Sequence, residues 1–292
     1  MPTYLPPADA VTAFSILRIG TDAPETATDL VATEEPLEIQ LGYTRGSVEV
    51  RKTVAITMRT PGHDRDLAAG FLFTEGIVRD PANIAEIVRP ADKPQTVIVR
   101  LRPDVAVDVR PLERNNYTTS SCGVCGKASL DAVRTATRHP LPEAAPLLDP
   151  AIIHRLPETL RAAQSGFDQT GGLHAAALFT FDGRLVAVRE DIGRHNAVDK
   201  LIGSQLLAAP AGAIPLSERI VFVSSRASFE LVQKIVMAGC PVLAAVGAPS
   251  SLAIELARET GATLLGFVRE NRFNVYAGTM RLRALTPAFA AT

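Results

Sequence analysis

From residue 175 to 268 the chain repeats one unit: a short apolar run, a polar segment able to open a helix, then an amphipathic stretch. Runs 175–181 and 185–188 flank Asp182-Gly183, a strong hairpin signal. Runs 220–223, 242–246 and 263–268 read as short buried strands. Stretches 196–207, 229–237 and 251–259 read as the helices between them. A hairpin followed by repeated strand–helix units predicts one sheet with helices on both faces. This pattern restricts the second half of the chain to an α/β architecture.

The first half has another rhythm. Residues 1–32 are rich in Pro, Ala, Thr and Asp and read as a loosely ordered segment, although 11–19 can form a strand. From Glu34 the pattern tightens: 37–41 alternates, 42–46 reads as a turn, and 47–58 alternates again with β-branched residues. Pro61-Gly62 breaks the run. Asp64 or a neighbour can cap a helix through Phe73, with Leu67, Ala68, Phe71 and Leu72 on one face and Gly76 as its stop. Strand runs follow at 95–101 and 105–109, and a helix-friendly stretch at 127–136. A Pro-rich linker, 140–150, leads to a helix from Ala151 to about Gln164. The reading is a segment 1–32, a strand-rich and antiparallel α+β domain 33–139, and an α/β domain 140–292. Two domains suit 292 residues.

Composition narrows the function classes. At 47% apolar and 21% charged residues the chain can pack a core and is not generally disordered. A net charge of −1 argues against a broad surface for nucleic acid or acidic membrane and leaves room for a local basic pocket. Arg outnumbers Lys by 25 to 5, read mainly as genomic base composition. The uncharged stretch 235–254 is cut by Gly239, Pro241, Gly247, Pro249 and Ser250-Ser251, so it reads as helix end, strand, turn and helix start rather than a span. With no signal-peptide pattern at the start, the expectation is a cytoplasmic protein with neither nucleic acid nor membrane as partner.

The chain has three cysteines, an odd count that makes no disulfide framework. Cys122 and Cys125 form a Cys-x-x-Cys, with Gly123 and Gly126 making the backbone permissive and Lys127 able to stabilise a thiolate. A zinc site needs four ligands, and only Cys240 and five scattered His remain, so no zinc is expected. A thioredoxin-like pair normally sits at a strand-to-helix step, whereas a long polar loop precedes this one. A sulfur carrier needs an exposed, mobile, nucleophilic thiol, which such a loop offers. Two incidental thiols in a tight turn are the bland alternative. Cys240, before Pro241, reads as a small buried residue.

Polar segments follow the strands of the second half. Thr170-Gly171-Gly172-Leu173-His174 precedes a strand and can let a backbone approach a ligand, though Gly-Gly is more often only a turn. Arg189-Glu190-Asp191-Ile192-Gly193-Arg194-His195-Asn196 lies between a buried strand and a helix, where Arg194, His195 and the helix N-terminus can receive a phosphate; a solvated helix start capped by Asp191 or Asn196 is the alternative. Ser224, Ser225 and Arg226 stand likewise after the next strand, as phosphate ligands or plain caps. After the last strand, Arg269-Glu270-Asn271-Arg272-Phe273-Asn274, with two Arg and an aromatic, can hold a nucleotide or form a surface loop. Together these segments suggest an anionic, nucleotide-like ligand. A lone His63 after Pro61-Gly62 is catalytic or packs the loop, and His139 and His154 carry no signal. The rhythm of the second half resembles the cytidine deaminases. Their His-x-Glu and Pro-Cys-x-x-Cys are absent, Arg194-His195-Asn196-Ala197 and Ser224-Ser225-Arg226-Ala227-Ser228 standing in their places.

Taken in order, these motifs resemble the formate dehydrogenase accessory sulfurtransferase family, FdhD. The resemblance runs from about Glu34 to Gly278. It includes Glu34-Glu35-Pro36-Leu37-Glu38, Pro61-Gly62-His63-Asp64, Thr119 to Lys127 around the cysteines, the segments above, and Arg272-Phe273-Asn274-Val275-Tyr276. It implies a sulfur carrier that takes sulfur from a cysteine desulfurase as a persulfide on Cys122, with Cys125 close behind. The sulfur passes to a molybdenum or tungsten bis-guanine-dinucleotide cofactor before insertion into formate dehydrogenase. It also implies a homodimer and a cytidine deaminase-like three-layer domain without zinc. The cofactor-binding stretch falls on Phe267, Val268, Arg269, Glu270, Asn271 and Arg272. A non-catalytic cofactor chaperone and a thiol–disulfide oxidoreductase are the alternatives.

Overall fold

The structure, a computed structural model, describes residues 7–21, 23–46, 48–105, 141–142, 147–208 and 214–283. Cys122 and Cys125, strand residues 106–109, the helix expected at 127–136, His139 and much of the linker lie outside the described residues.

In chain order the elements begin with β1 (Val11–Arg18), β2 (Glu25–Ala32), β3 (Glu35–Arg45), β4 (Val48–Arg59), α1 (Asp64–Thr74), β5 (Ile84–Val88) and β6 (Thr96–Leu101). They continue with α2 (Pro150–Ala162), α3 (Ser165–Thr170), β7 (His174–Thr180), β8 (Leu185–Asp191), α4 (Arg194–Leu206) and β9 (Arg219–Val223). Last come α5 (Phe229–Met237), β10 (Val242–Ala245), α6 (Ser251–Thr260), β11 (Thr263–Gly266) and β12 (Asn274–Ala277).

The larger sheet has the order β12-β11-β10-β9-β7-β8. Its centre, β9-β10-β11, is parallel, and β12 and β7 flank it antiparallel. These central strands are buried on both sides, which is why they read as unbroken apolar runs. Alternate residues serve opposite faces. Val221 and Val223 meet Leu201 of α4, Leu231 of α5 and Leu256 of α6 in one core, while Ile220 and Phe222 meet Ile153, Leu156 and Leu160 of α2 in another. Helices therefore cover both faces, as the rhythm predicts. No described helix is long and apolar enough to cross a membrane.

The smaller sheet, β4-β3-β6-β5, buries Leu37, Ile39 and Leu41 against Leu67 and Leu72 of α1. It differs from the antiparallel expectation: β3 runs parallel to β6, pairing Glu38 with Thr96. The turn expected at 42–46 also falls later. Gly42 and Tyr43 stay in β3 and the chain reverses at Gly46 (φ 65°), because Gly42 gives room to Arg100 on the neighbouring strand. Residues 11–32, expected to be loose, form the antiparallel pair β1–β2 in unbroken register from Val11↔Ala32 to Arg18↔Glu25. The strand expected at 11–19 is there. Its pairing with a second run supplies the order that its Pro- and Thr-rich composition concealed.

The two sheets are joined by α1 crossing α4 at a pair of glycines. A Cβ on Gly70 would lie 1.9 Å from the Asp199 carbonyl, and one on Gly203 would lie 1.8 Å from the Asp66 carbonyl. Around this contact the charges are paired, and buried or half-buried. Lys234 meets Asp199 at 2.9 Å, and Thr74 donates to the same carboxylate at 2.7 Å. Arg189 bonds Asp66 at 2.8 Å.

Candidate functional site at the carboxyl edge of the larger sheet

β9, β10 and β11 end at one edge, where β8 also ends and antiparallel β7 begins. Topology thus collects the polar segments separated in sequence, at the place where open α/β sheets take ligands. Backbone bonds lace them together. Ser224 Oγ accepts from the Ala175 N–H at 2.9 Å, Gly247 donates to the Ser225 carbonyl at 3.0 Å, and Phe267 donates to the Gly247 carbonyl at 3.1 Å. Phe267 is a bulky residue in the left-handed region (φ 52°) and is 40% exposed. Such strain persists only where neighbours enforce it. Here the bonds of Phe267 and of Val268 (to Ala245 O, 3.1 Å) do so.

A cavity of about 910 Å³ opens beside this edge on the α2 face. Small-molecule sites span roughly 300–1,000 Å³. Glu158 and Arg161 from the end of α2, and Gln164, Phe167 and Asp168 from α3 and its entry, form one wall. Gly171, Gly172, His174, Ser224 and Glu270 form the other. The α3 turn is built from a distance: Glu190 of β8, 6% exposed, accepts the Gly166 and Phe167 N–H groups, both at 2.9 Å. Burial raises the Glu190 carboxyl pKa, although these two bonds oppose the shift. Burial, and then the charge of Arg194, lower the His174 pKa, so its imidazole is neutral at pH 7.

The segment before α4 has a different task. Asp191 is fully buried and its carboxylate pairs with Lys200 at 2.7 Å. It also accepts from the N–H of Gly193 (2.8 Å) and of Thr60 (3.2 Å), and from Asn196 Nδ2 (3.0 Å). Lys200 Nζ reaches across to the Thr60 carbonyl at 2.8 Å, and Asn196 to the Met58 carbonyl at 2.8 Å. These residues therefore fasten the end of β4 to the larger sheet. His195 Nε2 shares a hydrogen bond with Ser228 Oγ at 3.3 Å and faces Glu230 at 3.8 Å. Burial works to raise the Glu230 pKa, but the bonds from His195 and Ser228 prevail and hold it at about 2. Arg194 Nε is buried without a partner among the described residues.

Of the residues singled out from sequence, Ser224 and Glu270 line the cavity, with Gly171, Gly172 and His174 of the glycine motif. Arg194, His195, Ser225, Arg226, Phe267, Val268, Arg269, Asn271 and Arg272 lie on the same edge without lining it. Val268 is buried in the core under α2. Ser225 Oγ donates to the Arg226 carbonyl, and Arg269 Nη1 donates to the carbonyls of Val246 and Val268, both at 2.8 Å. His154, without a sequence signal, donates to the Arg269 carbonyl at 3.2 Å and packs on Phe273. His63 starts α1 with left-handed backbone (φ 56°); burial and Arg189 lower its pKa. Cys240 is buried, which pushes its thiol up to about 12. Gln164, Phe167, Glu158 and Arg161 carried no sequence signal. Among the described residues no group of three His, Cys, Asp or Glu side chains is placed to hold a metal ion.

Fold and edge together define an α/β protein with its cavity at the carboxyl ends of the strands. The sequence matches the FdhD/NarQ family over residues 32–283, and the chain belongs to that family. A relative from Streptomyces coelicolor, named sulfur carrier protein FdhD, is 54% identical over 275 residues, covering 91% of this chain and 94% of its own. One of the same name from Nocardia farcinica is 48% identical over 265 residues, covering 88% and 90%. The fold is also that of a crystal structure from Desulfotalea psychrophila, assigned as a formate dehydrogenase accessory protein. Its TM-score is 0.71 at 24% identity, covering 94% of this chain and all of the other.

Proposed function

We propose that this chain is a sulfur carrier serving formate dehydrogenase. Sulfur arrives as a persulfide on Cys122: the Cys122 thiolate attacks the terminal sulfur of a donor persulfide, a new S–S bond forms, and the donor thiolate leaves. The donor is a cysteine desulfurase. Cys125, three residues on, is the second thiol of the loop. The acceptor is the molybdenum or tungsten bis-guanine-dinucleotide cofactor, a cargo held at the carboxyl edge described above and passed to the formate dehydrogenase catalytic subunit.

The observation that carries this reading is the family match over residues 32–283, which takes in both cysteines and all the edge segments. The cavity supports it, since its size suits a nucleotide-sized ligand. We further infer that the chain divides near residue 140, that the second part is cytidine deaminase-like without zinc, and that the protein works as a cytoplasmic homodimer.

The test is restoration of formate dehydrogenase activity in a strain lacking the protein. The reading expects restoration by the wild type and none by the Cys122→Ala, Cys125→Ala double variant. Full restoration by the double variant would select a cofactor chaperone instead.

A further inference from the structure

β1 and β2 form a sheet of two strands that pairs with no other described strand. Such a ribbon is marginal in water; a third strand or a covering helix is what makes it stable. Its base is held: β2 rests on α3, and the hydroxyls of Thr12 and Thr33 share a hydrogen bond at 2.7 Å. Beyond the base its apolar residues are uncovered. Phe14 is 54% exposed, Leu17 62% and Leu30 39%, and Ile19, just past β1, is 73% exposed. Single exposed apolar residues are ordinary, but four on one ribbon mark an interaction surface. The family match begins at residue 32, the last of β2, so the ribbon precedes the segment that carries the shared motifs.

The two edges of the ribbon are unlike. β2 carries Glu25 and Asp29, whereas β1 carries one charge, Arg18 at its end, and no proline. Charges and prolines are what keep an edge strand from pairing with another chain. The β2 edge is therefore guarded and the β1 edge, from Val11 to Leu17, is not. Such an edge complements itself, because a two-fold axis normal to the sheet sets it antiparallel beside its own copy.

We propose that two copies of this chain join through β1, forming one four-stranded sheet in the order β2-β1-β1-β2. The inference rests on the homodimer reading above and adds which surface makes the dimer. The pairing is centred on Ser15. That register sets Phe14 beside Ile16 of the second copy, Leu17 beside its Ala13, and Arg18 beside its Thr12, so no like charges meet. Four strands exceed the number a stable sheet needs. The outer edges are then the charged β2 strands, which stop the assembly at two copies.

The test is the molar mass of the full chain in solution, by light scattering and sedimentation velocity. The wild type should be a dimer. Phe14→Asp should weaken association at least tenfold, because each copy loses a ring that the pairing buries. Ser15 is exposed, so Ser15→Lys and Ser15→Glu should melt as the wild type does. Each alone sets like charges opposite one another across the axis and should dissociate more readily, and an equimolar mixture of the two should regain the dimer. Dimers of unchanged strength in all three variants overturn the assignment and leave the homodimer reading standing. Weakened Ser15 variants that do not recover on mixing overturn the pairing as well. A wild type that is monomeric at every concentration overturns both, while the sulfur-carrier reading is untouched.

Discussion

Replacing Asp191 by Asn should destabilise the protein far more than the loss of one surface charge. Asp191 is fully buried, Lys200 is 1% exposed, and the carboxylate takes four contacts at 2.7–3.2 Å. An amide keeps the Oδ1 contacts with Gly193 and Asn196. In place of Oδ2, however, it turns an NH₂ toward two donors, the Thr60 N–H and the Lys200 ammonium. The lysine is left charged in the interior with only the Thr60 carbonyl. Breaking such a pair costs about 3–5 kcal/mol, a large part of the ~5–15 kcal/mol of a folded domain. Urea unfolding at pH 7 measures this. Lys200→Met in the same chain removes the stranded charge, so the double variant should regain roughly 2 kcal/mol or more over the sum of the single losses. Single losses below about 1 kcal/mol that simply add would refute the claim that this pair fastens β4 to the larger sheet.

Three further outcomes follow from the same contacts. Gly203→Ala should destabilise and loosen the α1–α4 crossing, because its Cβ would meet backbone 1.8 Å away; accelerated amide exchange in both helices would report it. Glu230 contributes stability that is complete above its unfolded pKa of roughly 4.3 and is lost as pH falls toward about 2. Glu230→Gln should therefore flatten the acid limb of the stability curve in that window, as followed by thermal melts. Cys240, with its thiol pushed up to about 12, should resist alkylation in the native state at pH 8 and react after denaturation, as read by peptide mass.

The strands of the larger sheet were legible because burial on both faces leaves a continuous apolar signature, bounded by residues that turn or cap. Edge and long-range features were not. β12 (Asn274–Ala277) is short and partly exposed, and the parallel pairing of β3 with β6 joins residues that no local window contains. The α3 turn has no side-chain cap at Gln164. Its cap is Glu190, 24 residues away from Gly166, so nothing near residue 165 announces a helix. The same holds for the site. Ser224 and Glu270 were visible as polar residues after strands, whereas Gln164 and Phe167 matter through where α3 is pinned. The Asp191 to Asn196 segment is dense in polar groups in the sequence, but what it mostly does is fasten the two sheets. That depends on Thr60 and Met58, more than 130 residues earlier.

The central claim is that sulfur rides on the cysteine pair. The most direct measurement is the mass of the peptide holding Cys122 and Cys125 after incubation of the protein with a cysteine desulfurase and free cysteine. The account predicts a gain of one sulfur atom that dithiothreitol removes and that Cys122→Ala abolishes. If Cys122→Ala and Cys125→Ala both still carry the added sulfur, the pair is not the carrier.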